Sequence, residues 1–171
     1  MIDRLASREL NTRFGKFTEI LFRSDEEDIV ALVLGEVEGC DSVLCRIHCA
    51  CLGGHVFNSV ECECAAEMAA AQREIEEAGR GVIIYLEQEG KGNGHLALML
   101  STPYKNSGMS QADAYVAAGF KADARDYRGA AEVLRELGVS STVLMSGDKR
   151  KAEELGGFGI EVAGVRRLPT S

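Results

Sequence analysis

Residues 65–94 read AAEMAAAQREIEEAGRGVIIYLEQEGKGNG, a helical pattern followed directly by a strand pattern. The helix begins at Ala65 and ends at Gly79, because glycine readily adopts the left-handed conformation that closes a helix. Residues 81–86, GVIIYL, form a short apolar run typical of a buried strand. The glycine-rich segment 88–94 predicts a turn after that strand. The stretch therefore predicts that strands and helices alternate.

Further elements are predicted on both sides of this stretch. Two short runs rich in Val, Ile and Leu, residues 28–34 and 42–47, predict strands on the N-terminal side. The C-terminal side predicts, in order, a helix over 95–101 that Pro103 breaks, a helix over 111–118 opened by Ser110 and Asp113, a helix over 126–138, a strand over 142–145, a helix over 149–155 and a strand over 160–165. N-terminal strands followed by strand–helix alternation indicate one α+β or mixed α/β domain over residues 1–171.

Composition narrows the class of protein. No apolar run approaches the roughly 20 residues that span a bilayer, and the opening MIDRLASREL lacks the apolar stretch of a secretory signal. We therefore expect a cytoplasmic protein without a membrane partner. The net charge of −8 argues against a nucleic-acid surface. The basic run Lys149, Arg150 and Lys151 fits either a site for a small anion or a solvated helix start.

All six cysteines fall between residues 40 and 64, and such crowding in a cytosolic chain indicates metal or redox chemistry. Cys40 and Cys45 are expected to pack in the core. Ten residues separate Cys51 from the pair Cys62 and Cys64. Three thiolates favour Zn²⁺ over Mg²⁺ or Ca²⁺.

Spacing leaves two forms of this metal site open. Three protein ligands and a water would make an open, catalytic site. His55 or Cys49 could instead supply a fourth ligand and close the site as a structural one.

Four blocks carry a resemblance to a known family. They are Arg46-Ile47-His48 followed by the cysteine pattern, GRGVIIYLEQEGKGNG (79–94), GFKADARDY (119–127), and LGVSSTVLMSGDKRK with GFGIEV (137–151 and 157–162). In order and spacing the chain resembles the GTP cyclohydrolase II family from about Phe14 to Leu168. The resemblance implies a homodimer with one Zn²⁺ per chain that opens the imidazole ring of GTP, releasing formate and pyrophosphate.

The resemblance also implies roles for individual residues. The zinc ligands would be Cys51, Cys62 and Cys64. Arg125 would attack the α-phosphate while Asp123 handles the proton, and Mg²⁺ would accompany the triphosphate. The implied substrate contacts are Arg46, His48, Glu67, Glu89, Gly90, Lys91, Gln111, Ser146 and Lys151.

Several positions depart from the family pattern. Ala50 stands where the family has a carboxylate, and Glu67 stands where it has a glutamine. Lys91 replaces an arginine, so the bidentate hydrogen-bonding geometry of a guanidinium is lost. Thr102 stands where the family has a tyrosine tied to ring opening. We expect either a formyl-retaining product or slow turnover, unless Tyr104 takes the role through a chain distortion at Pro103.

These departures keep two other functions open. One is a paralogue with a different nucleotide substrate or a formamidopyrimidine product. The other is an inactive zinc-binding homologue that serves as a binding subunit. The residues expected at the phosphates match the family pattern better than the residues expected to recognise the base do.

Overall fold

The computed structural model describes residues 2–25 and 27–169. Its N-terminal part is an antiparallel meander of β1 (Ile2–Thr12), β2 (Gly15–Ser24) and β3 (Glu27–Leu34). Alternate residues of β2 and β3 point into the core, as period-two burial in a sheet requires. The strand predicted over 28–34 is confirmed.

The meander continues into a parallel half. Within the described residues one seven-stranded sheet has the order β1-β2-β3-β5-β4-β6-β7. The added strands are β4 (Val43–Cys49), β5 (Gly81–Leu86), β6 (Ser141–Met145) and β7 (Glu161–Arg166). β5 pairs antiparallel with β3 and parallel with β4, so it joins the two halves. The mixed α/β class is confirmed.

Helices cover both faces of the sheet. They are α1 (Leu52–His55), α2 (Cys64–Ala78), α3 (His95–Asn106), α4 (Gln111–Ala117), α5 (Arg128–Glu136) and α6 (Lys149–Gly157). On one face Ile75 of α2 packs with Ile83 of β5. On the other face Leu134 of α5 packs with the two neighbours of Ile83 on β5, Val82 and Ile84. None of the helices in the described ranges is long and apolar enough to cross a membrane.

The helix ends confirm one prediction and correct another. Gly79 caps α2 in the left-handed conformation with a φ of 75°. The predicted break at Pro103 is wrong, because α3 runs through this residue to Asn106. Proline cannot donate to the carbonyl of Met99, four residues before it. Met99 is 61% exposed, so water can replace the missing hydrogen bond.

The fold gathers the candidate residues at one edge. The parallel strands β4, β5 and β6 end at Cys49, Leu86 and Met145. Cys51, Glu89 and Ser146 follow these ends within a few residues. Ligands of open α/β sheets bind at this carboxyl edge.

Candidate metal centre and active site

Three cysteines converge next to the end of β4. The Sγ atoms of Cys51, Cys62 and Cys64 all lie within 4.8 Å of one another, with Cys51 and Cys62 at 3.6 Å. Gly54 of α1 lies against them, since a Cβ at Gly54 would be 2.9 Å from Cys62 Sγ. A group of three soft ligands with glycine beside it fits Zn²⁺. The three residues could therefore hold a metal ion.

The two candidate fourth ligands lie outside this group. Among the described residues, the cluster of possible metal ligands contains the three cysteines without His55 or Cys49. His55 instead faces His48, with their Nε2 atoms 3.0 Å apart. Burial, and then the charge of Arg46, lower the pKa of His48 to about 3, so its ring is neutral at physiological pH. Of the two forms of the site, this geometry favours the open one.

A cavity of about 690 Å³ opens beside the three thiols. Its lining includes the three cysteines, Arg125 and most of the substrate contacts implied by the sequence, namely Arg46, His48, Glu67, Glu89, Gly90, Lys91, Gln111 and Lys151. Asp123, Ser146 and Tyr104 are not part of that lining. Cys51, Cys62, Cys64 and Arg125 thus line one common space.

Asp123 lies outside the cavity lining but forms an ion pair with Arg125, which lines the cavity. Arg125 Nε donates to Asp123 Oδ1 at 2.9 Å, and Arg125 Nη2 donates to Asp123 Oδ2 at 2.5 Å. Asp148 and Arg150 complete the network, at 3.0 Å from Arg125 and 2.8 Å from Asp123. Burial alone would raise the pKa of Asp123, but hydrogen bonds and charge from Arg125 and the charge of Arg150 lower it to about 2. Asp123 is therefore ionised.

Two buried cations, Arg46 on β4 and Lys151 on α6, line the cavity. Lys151 is 6% exposed, and its Nζ donates to the carbonyl of Ile47 at 3.0 Å. Burial, followed by the charge of Arg46, lowers the pKa of Lys151 to about 8. Arg46 donates to the carbonyl of Met145 at 2.8 Å and to Glu67 Oε2 at 2.6 Å. Both cations line the cavity and can meet an anionic substrate.

The glycine-rich turn packs tightly on the segment that carries Arg125. Gly92 has a φ of 80°, and a Cβ there would lie 2.6 Å from the backbone carbon of Ala124. The carbonyl of Lys91 accepts from Ala124 N at 2.8 Å. Close packing on this segment therefore explains the glycine at position 92.

Glu89 is held by two contacts at the start of the same turn. Its Oε1 accepts from the backbone N–H of Leu52 at 2.8 Å, and its Oε2 lies 3.0 Å from His95 Nδ1. These contacts tie the turn to α1, next to the thiols. Sequence reasoning did not single out His95, although it lines the cavity.

The remaining hydroxyl groups are arranged differently from the expectation. Thr102 lines the cavity but donates its hydroxyl to the carbonyl of Leu98 at 2.9 Å. Tyr104 is 39% exposed and lies outside the cavity lining, so the distortion that was to bring it inward does not occur. Ser146 is buried and accepts from Asp148 N at 3.0 Å. Tyr115, which sequence reasoning missed, does line the cavity.

Comparison with known proteins identifies the family. The model of the family described as GTP cyclohydrolase II matches residues 3–169. The chain belongs to the GTP cyclohydrolase II family. GTP cyclohydrolase-2 of Streptomyces coelicolor is 41% identical over 95% of this chain and 74% of the relative. Riboflavin biosynthesis protein RibBA of Chlorobium phaeovibrioides is 36% identical over 99% of this chain.

The share of each similar protein that this chain covers differs. This chain spans 41% of the length of the Chlorobium protein. Among solved structures, RibBX of A. baumannii, a two-domain 3,4-dihydroxy-2-butanone 4-phosphate synthase, superposes with a TM-score of 0.56 over 98% of this chain and 40% of its own. At 19% identity, that likeness concerns the fold alone.

Proposed function

We propose that this chain catalyses the zinc-dependent hydrolytic opening of the imidazole ring of GTP, with release of formate and pyrophosphate. The observation that carries the proposal is that three clustered thiols and the guanidinium of Arg125 line one cavity of about 690 Å³. A purine nucleoside triphosphate has its ring at one end and its phosphates at the other. The thiols would lie next to the ring, and Arg125 would contact the phosphates.

Positively charged side chains are proposed to bind the phosphates. Arg125 and Lys151 line the cavity as positive charges, and Arg150 approaches Asp123 from α6. In the proposed first step a nitrogen of Arg125 bonds to the α-phosphorus, and the bond to pyrophosphate breaks. Asp123 already accepts two N–H groups of Arg125, so it is placed to take the proton that this nitrogen loses. Mg²⁺ is proposed to accompany the triphosphate.

The purine base is proposed to bind next to the three thiols. Zinc bound by these three thiolates would supply a water with its pKa lowered to about 7. The neutral ring of His48 and the carboxylate of Glu67 line the same region and can orient the base. Glu67 can accept hydrogen bonds from two N–H groups of guanine. Opening of the ring also requires a proton on the departing ring nitrogen.

One observation favours a different nucleotide as an alternative substrate. Glu67 stands where the family has glutamine and forms an ion pair with Arg46 at 2.6 Å. A carboxylate in this ion pair accepts hydrogen bonds and donates none, whereas glutamine does both. The related proposal is a cyclohydrolase whose substrate is another purine nucleotide, or whose product keeps the formyl group.

The cellular setting is also proposed. The family resemblance and the charge of −8 support a cytoplasmic homodimer that acts on a nucleotide and binds no nucleic acid. Riboflavin biosynthesis is the proposed pathway, because relatives that carry this domain are named for it.

The test is a panel of purine nucleoside triphosphates with the purified chain loaded with one zinc per chain. Formate, pyrophosphate and product mass are followed together. We expect GTP to yield both small products, and we expect Cys62→Ser to lose zinc and activity. Turnover of another purine instead of GTP would support the alternative. If no member of the panel is altered by fully loaded protein, the proposed function is wrong.

A further inference from the structure

We propose that Tyr115 is a catalytic residue whose phenol donates the proton to the ring nitrogen as the imidazole ring opens. This inference rests on the proposed function, because it names the acid for that same step. Nothing in the comparisons assigns a role to this residue. It follows from the position of its hydroxyl, from the state of the neighbouring hydroxyls and from the charges around it.

The phenol of Tyr115 reaches the cavity from a buried position. Tyr115 lies on α4 and is 1% exposed, yet it belongs to the cavity lining. Its hydroxyl lies over the glycine-rich turn, since a Cβ on Gly90 would be 3.3 Å from it. Packing therefore holds the ring in place while the hydroxyl faces the space that the substrate would fill.

The hydroxyl is also free to act on a ligand. Within residues 2–25 and 27–169, no side chain or backbone group forms a hydrogen bond with the Tyr115 phenol. Its oxygen is not among the buried unpaired atoms of these residues, so it reaches the open space of the cavity. A substrate atom in the cavity would supply the partner that the protein does not.

Neighbouring hydroxyls are less suited to the step. Thr102 and Ser101 both donate to the carbonyl of Leu98, at 2.9 Å and 3.0 Å. Tyr104 lies outside the cavity. Tyr115 is the one phenol in the cavity lining among the described residues.

The surrounding charges keep this phenol protonated. Burial raises the pKa of Tyr115, and the negative charges of Glu89 and Asp123 raise it further, while Arg125 acts in the opposite direction. A phenol with a raised pKa holds its proton at neutral pH. It therefore enters the step carrying the proton that it donates.

The proton transfer balances without a further reagent. As the C8–N bond of the ring breaks, its electron pair goes to nitrogen, and the Tyr115 O–H supplies the proton that completes the N–H group. The phenolate then regains a proton from water in the open cavity. General acid help of this kind typically contributes about 10²–10⁴-fold.

His95 is the rival acid, because its imidazole lines the cavity and its Nδ1 lies 3.0 Å from Glu89 Oε2. The His95→Gln variant separates the two candidates. If His95 is the acid, this variant loses formate release and Tyr115→Phe keeps it, which would overturn the proposal.

The main experiment compares Tyr115→Phe with Tyr104→Phe, which removes a phenol outside the cavity. Both are measured as zinc-loaded full chains with GTP. In a single turnover with enzyme in excess, we expect Tyr115→Phe to slow formate release by about 100-fold or more, while the rate of pyrophosphate release, zinc content and melting temperature stay unchanged. We expect Tyr104→Phe to match the parent chain. Equal losses of formate and pyrophosphate release in this single turnover, or no loss, would overturn the proposal.

A second variant tests the proposal if Tyr115→Phe fails to fold. Fluorotyrosine at position 115 keeps the shape and lowers the phenol pKa. At saturating GTP, where the effect of Lys151 on KM drops out, the alkaline limb of the formate-release rate should then move to lower pH, and an unmoved limb would overturn the proposal. A parent chain that leaves GTP intact would count against the proposed function itself, so the two failures are distinct.

Discussion

Arg125 and Asp123 form a double hydrogen bond through two guanidinium nitrogens, at 2.9 Å and 2.5 Å. The two residues are separated by one position, and the segment that carries them is fixed by the glycine-rich turn at Lys91. The pair thus presents a defined guanidinium to the cavity. The ion pair keeps both groups charged before a substrate arrives, since the pKa of Asp123 falls and that of Arg125 rises.

Arg125→Ala should abolish pyrophosphate release. The change removes both the proposed nucleophile and a cation at the phosphates, so we expect a loss of at least about 100-fold. Zinc content should stay unchanged, because Arg125 is not among the possible metal ligands. Coupled phosphate detection and metal analysis measure the two effects. Arg4→Ala, an exposed position on β1, is the matched control. Full activity of the Arg125 variant would rule out the covalent step.

Gly54→Ala should weaken zinc binding, whereas Gly53→Ala should not. A Cβ at Gly54 would come within 2.9 Å of Cys62 Sγ and 3.3 Å of Cys51 Sγ. At Gly53 the nearest atom is the Cβ of Ser59 at 3.6 Å, an ordinary contact. Competition with a chelator should reveal a loss of affinity of about 10–100-fold for the first variant. Equal affinities in the two variants would contradict this geometry of the metal site.

The apparent affinity for GTP should weaken as the pH rises through about 8, the pKa of buried Lys151. An anionic phosphate favours the charged ammonium, so binding must recover a proton once Lys151 is neutral. KM should then rise by up to about tenfold per pH unit. Lys151→Arg keeps its charge and should flatten this rise. A KM of the parent chain that is independent of pH over the same range would contradict a phosphate role for Lys151.

Sequence alone predicted those parts of the fold whose patterns are local. Residues 81–86 form β5 with the predicted ends, because an apolar run between glycines fits a buried strand. β1 was missed, since most of its side chains are exposed and it carries no alternation of apolar and polar residues. The helix through Pro103 was missed because the acceptor that proline leaves unpaired lies on an exposed residue.

The candidate site was also predicted only in part from the sequence. The three cysteines are brought together as their spacing predicted, because a short turn and the start of α2 hold them. Tyr115 escaped notice because an aromatic residue in a short apolar helix normally indicates core packing. Its ring does pack in that manner, and its hydroxyl alone distinguishes it. Asp148 was missed because its contact with Arg125 joins positions 23 residues apart.

The central claim is tested most directly with zinc-loaded protein and GTP that carries ¹³C at C8, followed by ¹³C and ³¹P nuclear magnetic resonance. We predict that the label leaves the nucleotide and appears in formate, while a pyrophosphate signal grows in parallel. If the GTP signals persist unchanged with zinc fully bound, the account of this chain as a ring-opening cyclohydrolase of GTP is contradicted.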